Sequence, residues 1–317
     1  MTELHVGVDI GGTKIQAAAL RQGAVAGSHR ASTPEAGVKE LVHAIADAIE
    51  TSVGEAGAGD VAGVGVGVPG AVDPAAGTVA SANNVPGLER AEPTPLAELV
   101  SRATGVPVKL ENDAHVATLG EMTRGAGRPY RDWLAVWVGT GVGGGLVFGG
   151  RLHEGQGAAG EIGHMVVKPG GRVCSDGRRG HLEAYAGRGR MEARARSLVK
   201  EGRKTILFDL MEKKGRKRLS SGVIADALER EDKLAHELID DAVWALGIAI
   251  ASVQNLLALE AVVIGGGLGD RLGRPFVKRI AAEMEQHLFV PDRPPEILTS
   301  EYGDLSGAVG AAVLVGG

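Results

Sequence analysis

The chain has 317 residues, a formal net charge of −5 and 44% hydrophobic residues, a globular composition long enough for two domains. The acidic balance excludes the broad positive surface of nucleic-acid-binding proteins, and the basic run 213–218 is interpreted as a solvated loop. The single cysteine cannot form an internal disulfide, which suits a reducing cytoplasm. We expect neither a signal peptide nor a membrane span, because polar residues interrupt the most apolar stretch, 242–264.

The first half opens with a glycine hairpin. Residues 6–10 predict a strand, 11–13 a tight turn and 14–20 a second strand. Apolar residues then recur with the spacing of one helix face between Val38 and Ile49. The remaining predicted elements are strands at 61–68 and 106–111 and a helix at about 113–124.

The second half repeats this opening with a strand at 133–138, a glycine turn at 139–145 and a strand at 146–148. The elements predicted after it are helices near 183–200, 221–230 and 231–259, a strand at 261–264 and a helix near 275–288. Two halves that each begin with a glycine hairpin predict two related α/β domains that face one another across a cleft.

Glycine turns beside strands often hold phosphates, because several backbone N–H groups can point at one anion. Candidate turns lie at 9–14, 139–145 and 265–269. Segments 65–70 and 139–144 match G-x-G-x-x-G, but neither leads into the helix that a dinucleotide site requires. A nucleotide P-loop is also excluded, because Thr13-Lys14 inverts the required Lys-Ser/Thr order.

One glycine-rich span concentrates chemically active side chains. Segments 155–164 and 174–183 contain two glutamates, two histidines and the only cysteine. The span is predicted to be a binding site, with a surface loop of scattered charges as the alternative.

These motifs together resemble a known family. Residues 8–14 resemble the first phosphate motif of sugar kinases in the actin–hexokinase–Hsp70 superfamily, 139–145 the second, and 264–268 the adenosine motif. The span from Glu161 to Glu183 resembles the signature of the ROK family (repressors, open reading frames and kinases). The resemblance covers essentially the whole chain and implies an α/β fold of two actin-like (ribonuclease H-like) domains flanking a cleft. It implies an N-terminal lobe of 1–112, joined by 303–317, and a C-terminal lobe of 113–302 that carries the sugar and metal loop.

The resemblance implies ATP-dependent phosphorylation of a hexose, and in particular of glucose to glucose 6-phosphate. Alternatives are a kinase for N-acetylglucosamine, N-acetylmannosamine, mannose or fructose, and a sugar-sensing regulator of the same family. The regulator is disfavoured because the first hairpin begins by Val6, where regulators carry an additional helix-turn-helix domain.

The resemblance makes Asp113 the general base that accepts the proton of the attacking hydroxyl. By position alone, Asn112 or Asp113 equally suits a helix N-cap. The residues implied to bind the sugar are Gly70, Asn84, Asn112, Asp113, Glu161, His164 and Glu183. For Asn84 an ordinary turn remains an equal alternative.

The resemblance also implies Mg²⁺ and ATP as cofactors. Asp9 would hold Mg²⁺ through water. The residues implied to contact ATP are Gly11, Gly12, Thr13, Lys14, Thr140, Gly141, Gly143, Gly266 and Gly267. The implied assembly is a homodimer or homotetramer, with no nucleic acid or membrane as partner.

The metal loop departs from the family pattern. The family carries a structural zinc on one histidine and three cysteines, and here His164 and Cys174 keep their positions while Asp176 and His181 replace the other two cysteines. Zinc accepts nitrogen, sulfur and oxygen ligands, so these four residues form a candidate zinc site. The alternative is a loop without metal that hydrogen bonds hold in place.

Overall fold

The computed structural model describes residues 3–57, 59–82, 85–89 and 92–316. Contacts between Cα atoms divide the chain into unit 1 (Met1–Arg128, Glu154–Gly157 and Glu301–Gly317) and unit 2 (Pro129–His153 and Ala158–Ser300). This division places the helix at 113–124 in unit 1, whereas the family resemblance begins the second lobe at residue 113. Among the described residues, no helix combines the length and the apolar character needed to cross a membrane.

Unit 1 is built on a five-stranded sheet. The strands of this sheet are β1 (Leu4–Ile10), β2 (Lys14–Arg21), β3 (Ala24–Ser32), β4 (Val61–Val68) and β7 (Val108–Asn112), and the short strands β5 (Ala71–Asp73) and β6 (Thr78–Ser81) form a separate pair. Its helices are α1 (Val38–Glu55), α2 (Leu96–Thr104), α3 (Asp113–Arg124) and, from the end of the chain, α10 (Ser306–Gly316). The sheet order is β3-β2-β1-β4-β7. Strands β1 and β2 form the predicted antiparallel hairpin, while β4 pairs in parallel with β1 and β7.

Helix α10 lies directly on the strands of this sheet because the facing positions are glycines. A Cβ atom on Gly7 would lie 1.8 Å from the carbonyl oxygen of Ala308, and one on Gly65 would lie 1.8 Å from that of Ala311. No larger residue fits at either strand position. The contact therefore holds the first turn of α10 close to the end of β1, where Asp9 is located.

Unit 2 repeats the sheet of unit 1 strand for strand. Its strands are β8 (Trp133–Val138), β9 (Val142–Phe148), β10 (Arg151–His153), β11 (Ala261–Gly265) and β12 (Glu296–Thr299). Its helices are α4 (Glu183–Ala186), α5 (Arg188–Lys200), α6 (Leu207–Lys213), α7 (Ser221–Glu229), α8 (Lys233–Leu257) and α9 (Gly266–Glu285). The order β10-β9-β8-β11-β12 has two antiparallel pairs followed by two parallel pairs, as in unit 1. The prediction of two related α/β halves is confirmed.

Three predicted elements differ in their bounds. The predicted turn 139–145 is a turn only to residue 141, because Val142–Phe148 pairs with β8. The predicted helix 183–200 is two helices, because Gly187 leaves the helical conformation and the following N–H groups bond to Gly139 and Thr140 instead. The helix predicted at 275–288 starts at Gly266 and is kinked at Gly273, where φ is 57°.

Candidate active site

The first glycine turn of unit 1 is closed by hydrogen bonds at both ends. The Gly11 N–H donates to the Lys14 carbonyl at 2.8 Å, and the Thr33 hydroxyl donates to the Gly11 carbonyl at 2.6 Å. The Lys14 ammonium lies 2.7 Å from the carboxylate of Asp304, which also pairs with Arg30. The turn therefore presents a fixed backbone and a positioned cation, as the prediction of a phosphate site requires.

Asp9, at the end of β1, has a strongly perturbed carboxyl group. Burial and, as the second cause, the negative charge of Asp113 raise the pKa of Asp9 to about 7, while Lys14 opposes the shift. The carboxyl group packs against the first turn of α10, where a Cβ atom on Gly307 would lie 2.6 Å from the Asp9 Cγ. Two carboxyl groups that destabilise each other's charge form a site that a divalent cation would stabilise.

The junction of β7 and α3 positions the predicted base. The Asn112 side chain is the N-cap of α3, since its Oδ1 accepts from the N–H groups of Ala114 at 2.9 Å and His115 at 3.2 Å. Asp113 is thus the first helical residue, with its side chain partly exposed and one oxygen accepting from the Ala114 N–H at 2.8 Å. The capping role that either residue could have taken belongs to Asn112, and Asp113 stays a predicted base.

Two predicted sugar residues of unit 1 contact each other. The Asn112 amide donates to the Gly70 carbonyl at 3.2 Å. Gly70 adopts a φ of 92°, and a Cβ atom there would lie 2.2 Å from the Ser81 carbonyl oxygen, so only glycine fits. Asn84 lies outside the described residues, and its predicted role stays a prediction.

A pair that the sequence analysis missed lies beside this junction. The Glu111 carboxylate accepts from the Asn112 N–H at 2.7 Å and lies 3.2 Å from Nδ1 of His115, which is 4% exposed. This pair fixes the backbone on both sides of Asp113. The i, i+4 spacing of a glutamate and a histidine around Asn112-Asp113 was the available sequence signal.

In unit 2, the predicted sugar residue Glu161 directly precedes a short 3₁₀ turn, and the predicted sugar residue His164 is the last residue of that turn. Their side chains are 49% and 39% exposed, and His164 Nε2 lies 3.9 Å from a Glu161 carboxylate oxygen. Gly163 seats the turn on β9, since a Cβ atom there would lie 2.0 Å from the Val142 carbonyl oxygen. The two side chains thus form an accessible polar pair suited to hydroxyl groups.

The other ring nitrogen of His164 belongs to the predicted metal cluster. Nδ1 of His164, Nδ1 of His181 and Oδ2 of Asp176 lie 3.4 Å from one another, and the Cys174 Sγ completes a set within 4.8 Å. Tetrahedral zinc with bonds of about 2.0–2.1 Å places such ligand atoms about 3.3–3.4 Å apart. The four residues therefore fit a zinc ion in both chemistry and spacing.

Glu183 joins the metal loop to the second glycine turn. One carboxylate oxygen accepts from the Val142 N–H at 3.0 Å, and the other lies 3.5 Å from the Cys174 Sγ and accepts from the Ser175 hydroxyl. Gly141 allows this approach, since a Cβ atom there would lie 2.2 Å from the carboxylate. Glu183 is buried by these contacts, and its predicted contact with the sugar stays a prediction.

Two glycine turns of unit 2 meet at the end of β8. Gly266, with a φ of 79°, packs so closely that a Cβ atom would lie 2.8 Å from the Val138 backbone nitrogen. Arg188 joins this region to the second turn, because its Nε donates to the Gly139 carbonyl at 3.1 Å and its Nη2 to the Thr140 hydroxyl at 3.3 Å. Its Nη1 would lie 3.9 Å from a Cβ atom on Gly267.

Arg188 is therefore a cation at both predicted ATP-binding turns of unit 2, and the sequence analysis missed it. Helix α5 contains three further arginines, so the sequence did not distinguish this one. Gly143 lies in β9 opposite Trp137 rather than in the turn.

Comparisons with known proteins identify the family of this chain. The ROK family model matches residues 5–317. The chain is 34% identical to a glucokinase of Halalkalibacterium halodurans over 98% of this chain and 94% of that protein. It is 30% identical to an N-acetyl-D-glucosamine kinase of Pasteurella multocida over 98% of this chain and 99% of that protein.

Among solved structures, a ROK family glucokinase from Streptomyces griseus in complex with glucose and AMPPNP is similar with a TM-score of 0.83. It is 32% identical, with 98% of this chain and 99% of that chain covered. The paired actin-like sheets, the motifs in order and the full-length family match lead to one conclusion: the chain belongs to the ROK family.

Proposed function

We propose that this sugar kinase transfers the terminal phosphoryl group of ATP to glucose and forms glucose 6-phosphate. The observation that carries the proposal is the carboxylate arrangement of unit 1. Asp113 stands partly exposed at the start of α3 beside the capping residue Asn112, and its negative charge raises the pKa of Asp9. A glucokinase relative at 34% identity and a similar glucokinase structure with glucose support the choice of sugar.

In this proposal Asp113 accepts the proton of the attacking hydroxyl. A general base must reach that hydroxyl, and the Asp113 side chain is partly exposed while its backbone is fixed by the helix start. The Asn112 amide, which donates to the Gly70 carbonyl, holds the neighbouring sugar contact in place. The Glu111–His115 pair would keep this segment rigid, so that the hydroxyl and the base stay aligned.

Charge neutralisation would come from both units. The fold implies Mg²⁺, which Asp9 would hold through water and which would neutralise phosphate charge. Lys14 and the N–H groups of its turn would contact phosphate oxygens in unit 1. Thr140, the turns at 139–141 and 265–267, and Arg188 would do so in unit 2.

The metal loop would position the sugar rather than react with it. His164, Cys174, Asp176 and His181 would hold zinc, which would fix the tautomer and the ring orientation of His164. Nδ1 of His164 faces the cluster, which leaves Nε2 on the side of Glu161 for a sugar hydroxyl. The ROK resemblance further suggests a homodimer or homotetramer.

A second candidate substrate is an N-acetylated hexosamine. N-acetyl-D-glucosamine kinases and an N-acetylgalactosamine kinase are 30–31% identical to this chain over 98% of its length. Their identities are close to those of the glucokinases, so sequence similarity alone does not separate the two sugar classes.

The test is a coupled assay of ATP consumption with glucose, N-acetylglucosamine, N-acetylmannosamine, mannose and fructose. We expect the highest kcat/KM for glucose. If the kcat/KM for an N-acetylated sugar is ten times that for glucose, the N-acetylated sugar is the substrate instead of glucose. Absence of ATP consumption with every sugar, in protein that still binds glucose, would favour the sugar-sensing regulator.

A further inference from the structure

A cavity of about 600 Å³ in unit 2 is lined by none of the residues assigned above to the sugar, the phosphates or the metal, as far as the described residues show. Its charged lining consists of Lys168, Arg172, Arg179, Arg194 and Asp241. We call it the basic cavity. Its walls come from the loop between His164 and His181 and from helices α4, α5 and α8.

Positive charge in the basic cavity is largely uncompensated. Arg172 pairs with Asp241 at 2.5 Å and lies over the ring of Tyr185, 4.9 Å from its centroid. Among the described residues, Lys168, Arg179 and Arg194 have no carboxylate partner. Three surplus cations in one cavity suit a phosphate monoester, which carries close to two negative charges and three acceptor oxygens.

Arg194 gives a second, independent indication of a ligand. Its Nε is buried and has no hydrogen-bond partner among the described residues. A buried donor without an acceptor destabilises the folded state, and in folded proteins such groups require an explanation. An anionic ligand that supplies an acceptor oxygen inside the cavity would remove this cost.

The neighbouring surface indicates what the phosphate is attached to. A second cavity adjoins the basic cavity, because Asp241 and Trp244 line both. It adds the carboxylates of Glu231, Glu237 and Asp240 to the lining, together with the side chains of Lys233 and His236. Carboxylates accept hydrogen bonds from sugar hydroxyls, and an aromatic ring such as Trp244 offers an apolar face to a sugar ring.

We propose that the basic cavity is a second ligand site for a hexose phosphate, distinct from the site at which the sugar reacts. The phosphate contacts Lys168, Arg179 and Arg194, and the sugar lies along Asp241 and Trp244. The cavity wall is coupled to the metal loop, since the Arg172 N–H donates to the Tyr185 hydroxyl at 3.1 Å and the Gly180 N–H to the Arg172 carbonyl at 2.8 Å.

The test is calorimetric titration of glucose 6-phosphate into the full-length protein already saturated with glucose and AMPPNP, which block the reacting site. We expect binding with a Kd on the order of 0.1–1 mM, typical of a small, charge-assisted contact. The double variant Lys168→Gln/Arg194→Gln should weaken this binding at least tenfold. Lys200→Gln removes one charge from the same helix as Arg194, outside the cavity, and should change the Kd less than twofold.

Four results would overturn the proposal. The first is that glucose 6-phosphate does not bind to the saturated wild type, and the second is that the double variant binds it as tightly as the wild type. The third is that inorganic phosphate binds as tightly as glucose 6-phosphate, because the sugar would then contribute nothing. The fourth is that the variants differ from the wild type in molecular mass in solution, because the cavity would then be a contact between subunits.

Two controls exclude misfolding of the variant and failure of the proposed function as causes of these results. Lys168→Gln alone, at an exposed side chain, replaces the double variant if circular dichroism shows that the latter does not fold. Titrations with glucose and AMPPNP come first. If neither glucose nor AMPPNP binds, the result counts against the proposed function. Glucose 6-phosphate is then titrated into the free protein, so that the second ligand site is tested independently of the proposed function.

Discussion

Units 1 and 2 contain sheets of the same strand order and direction, yet they present their candidate site residues differently. In unit 1, Asp9, Asn112 and Asp113 stand at the ends of strands or at the start of a helix, where backbone hydrogen bonds fix them. In unit 2, Glu161 and His164 stand on a long irregular loop.

This difference indicates how the two halves of one architecture can divide the work of a kinase. Strand ends fix a carboxylate within the geometry that proton transfer and cation binding demand. A loop can change its side chains without disturbing a sheet, which suits the choice of sugar. A loop lacks the rigidity of a sheet, and in unit 2 a zinc ion held by His164, Cys174, Asp176 and His181 would supply it under the proposed function.

The most severe test of the unit 1 half is Asp113→Asn. The amide keeps the shape but cannot accept a proton, so kcat should fall about 10²–10⁴-fold. The glucose Kd, measured calorimetrically, should change less than about threefold. Asp47→Asn, at an exposed position on α1, is the matched control and should leave kcat unchanged. A variant that keeps more than a tenth of wild-type kcat would remove Asp113 from the role of base.

Unit 1 was the more predictable half because its site follows local rules. The hairpin around 11–13 follows from alternating strands and a glycine turn, and a polar pair after the strand at 106–111 predicts a helix start. Helix α10 was not predicted as an element, because it is apolar on all sides and shows no helical periodicity. Its place on Gly7 and Gly65 depends on contacts between residues far apart in the chain.

Arg188→Ala tests whether the nucleotide contacts of unit 2 extend beyond its glycine turns. Loss of a charge-assisted contact to phosphate should raise the KM for ATP about 10–100-fold, while the KM for glucose changes less than about threefold. Direct binding of AMPPNP should weaken by the same factor. Arg190→Ala, on the same helix, is the matched control. Equal effects on both KM values would indicate that Arg188 only supports the fold.

Unit 2 was predicted less well because tertiary contacts override its local pattern. The sequence between Glu183 and Lys200 predicts one helix, yet the N–H groups of Arg188 and Gly189 bond to the second glycine turn. The same break brings the Arg188 guanidinium to Gly139 and Thr140. Spacing identified the members of the metal cluster, but the triangle of 3.4 Å distances among three of them needed the structure.

Removal of metal tests whether the unit 2 loop depends on its cluster. Protein purified without chelator should contain about one zinc per chain by elemental analysis. Chelation should raise the KM for glucose roughly tenfold and lower kcat less than about threefold, because positioning of His164 fails before chemistry does. Asp176→Asn should lower the zinc content, whereas Asp209→Asn, exposed on α6, should not. Less than half a zinc per chain, with full activity in chelator, would leave hydrogen bonds as the support of the loop.

The smallest expected effect is the pH dependence that the Asp9 carboxyl group gives to the KM for Mg-ATP. It tests whether this buried carboxyl group also takes part in cation binding in unit 1. Burial, and then the charge of Asp113, raises the pKa of Asp9 from 3.8 to about 7. Only the ionised form attracts a cation, so the KM for Mg-ATP should fall about fourfold from pH 6.5 to pH 8. Asp9→Asn should abolish this pH dependence.

The stability of the folded protein should decrease over the pH range in which binding of Mg-ATP improves. A raised carboxyl pKa means that the folded state favours the neutral form, so the contribution of Asp9 to stability is complete below pH 3.8 and is lost as the pH rises through about 7. Asp9→Asn should therefore raise Tm more at pH 8 than at pH 5, as measured by circular dichroism. An equal change in Tm at both pH values would mean that the Asp9 carboxyl group does not titrate in this range. The fall in the KM for Mg-ATP would then have to come from another group.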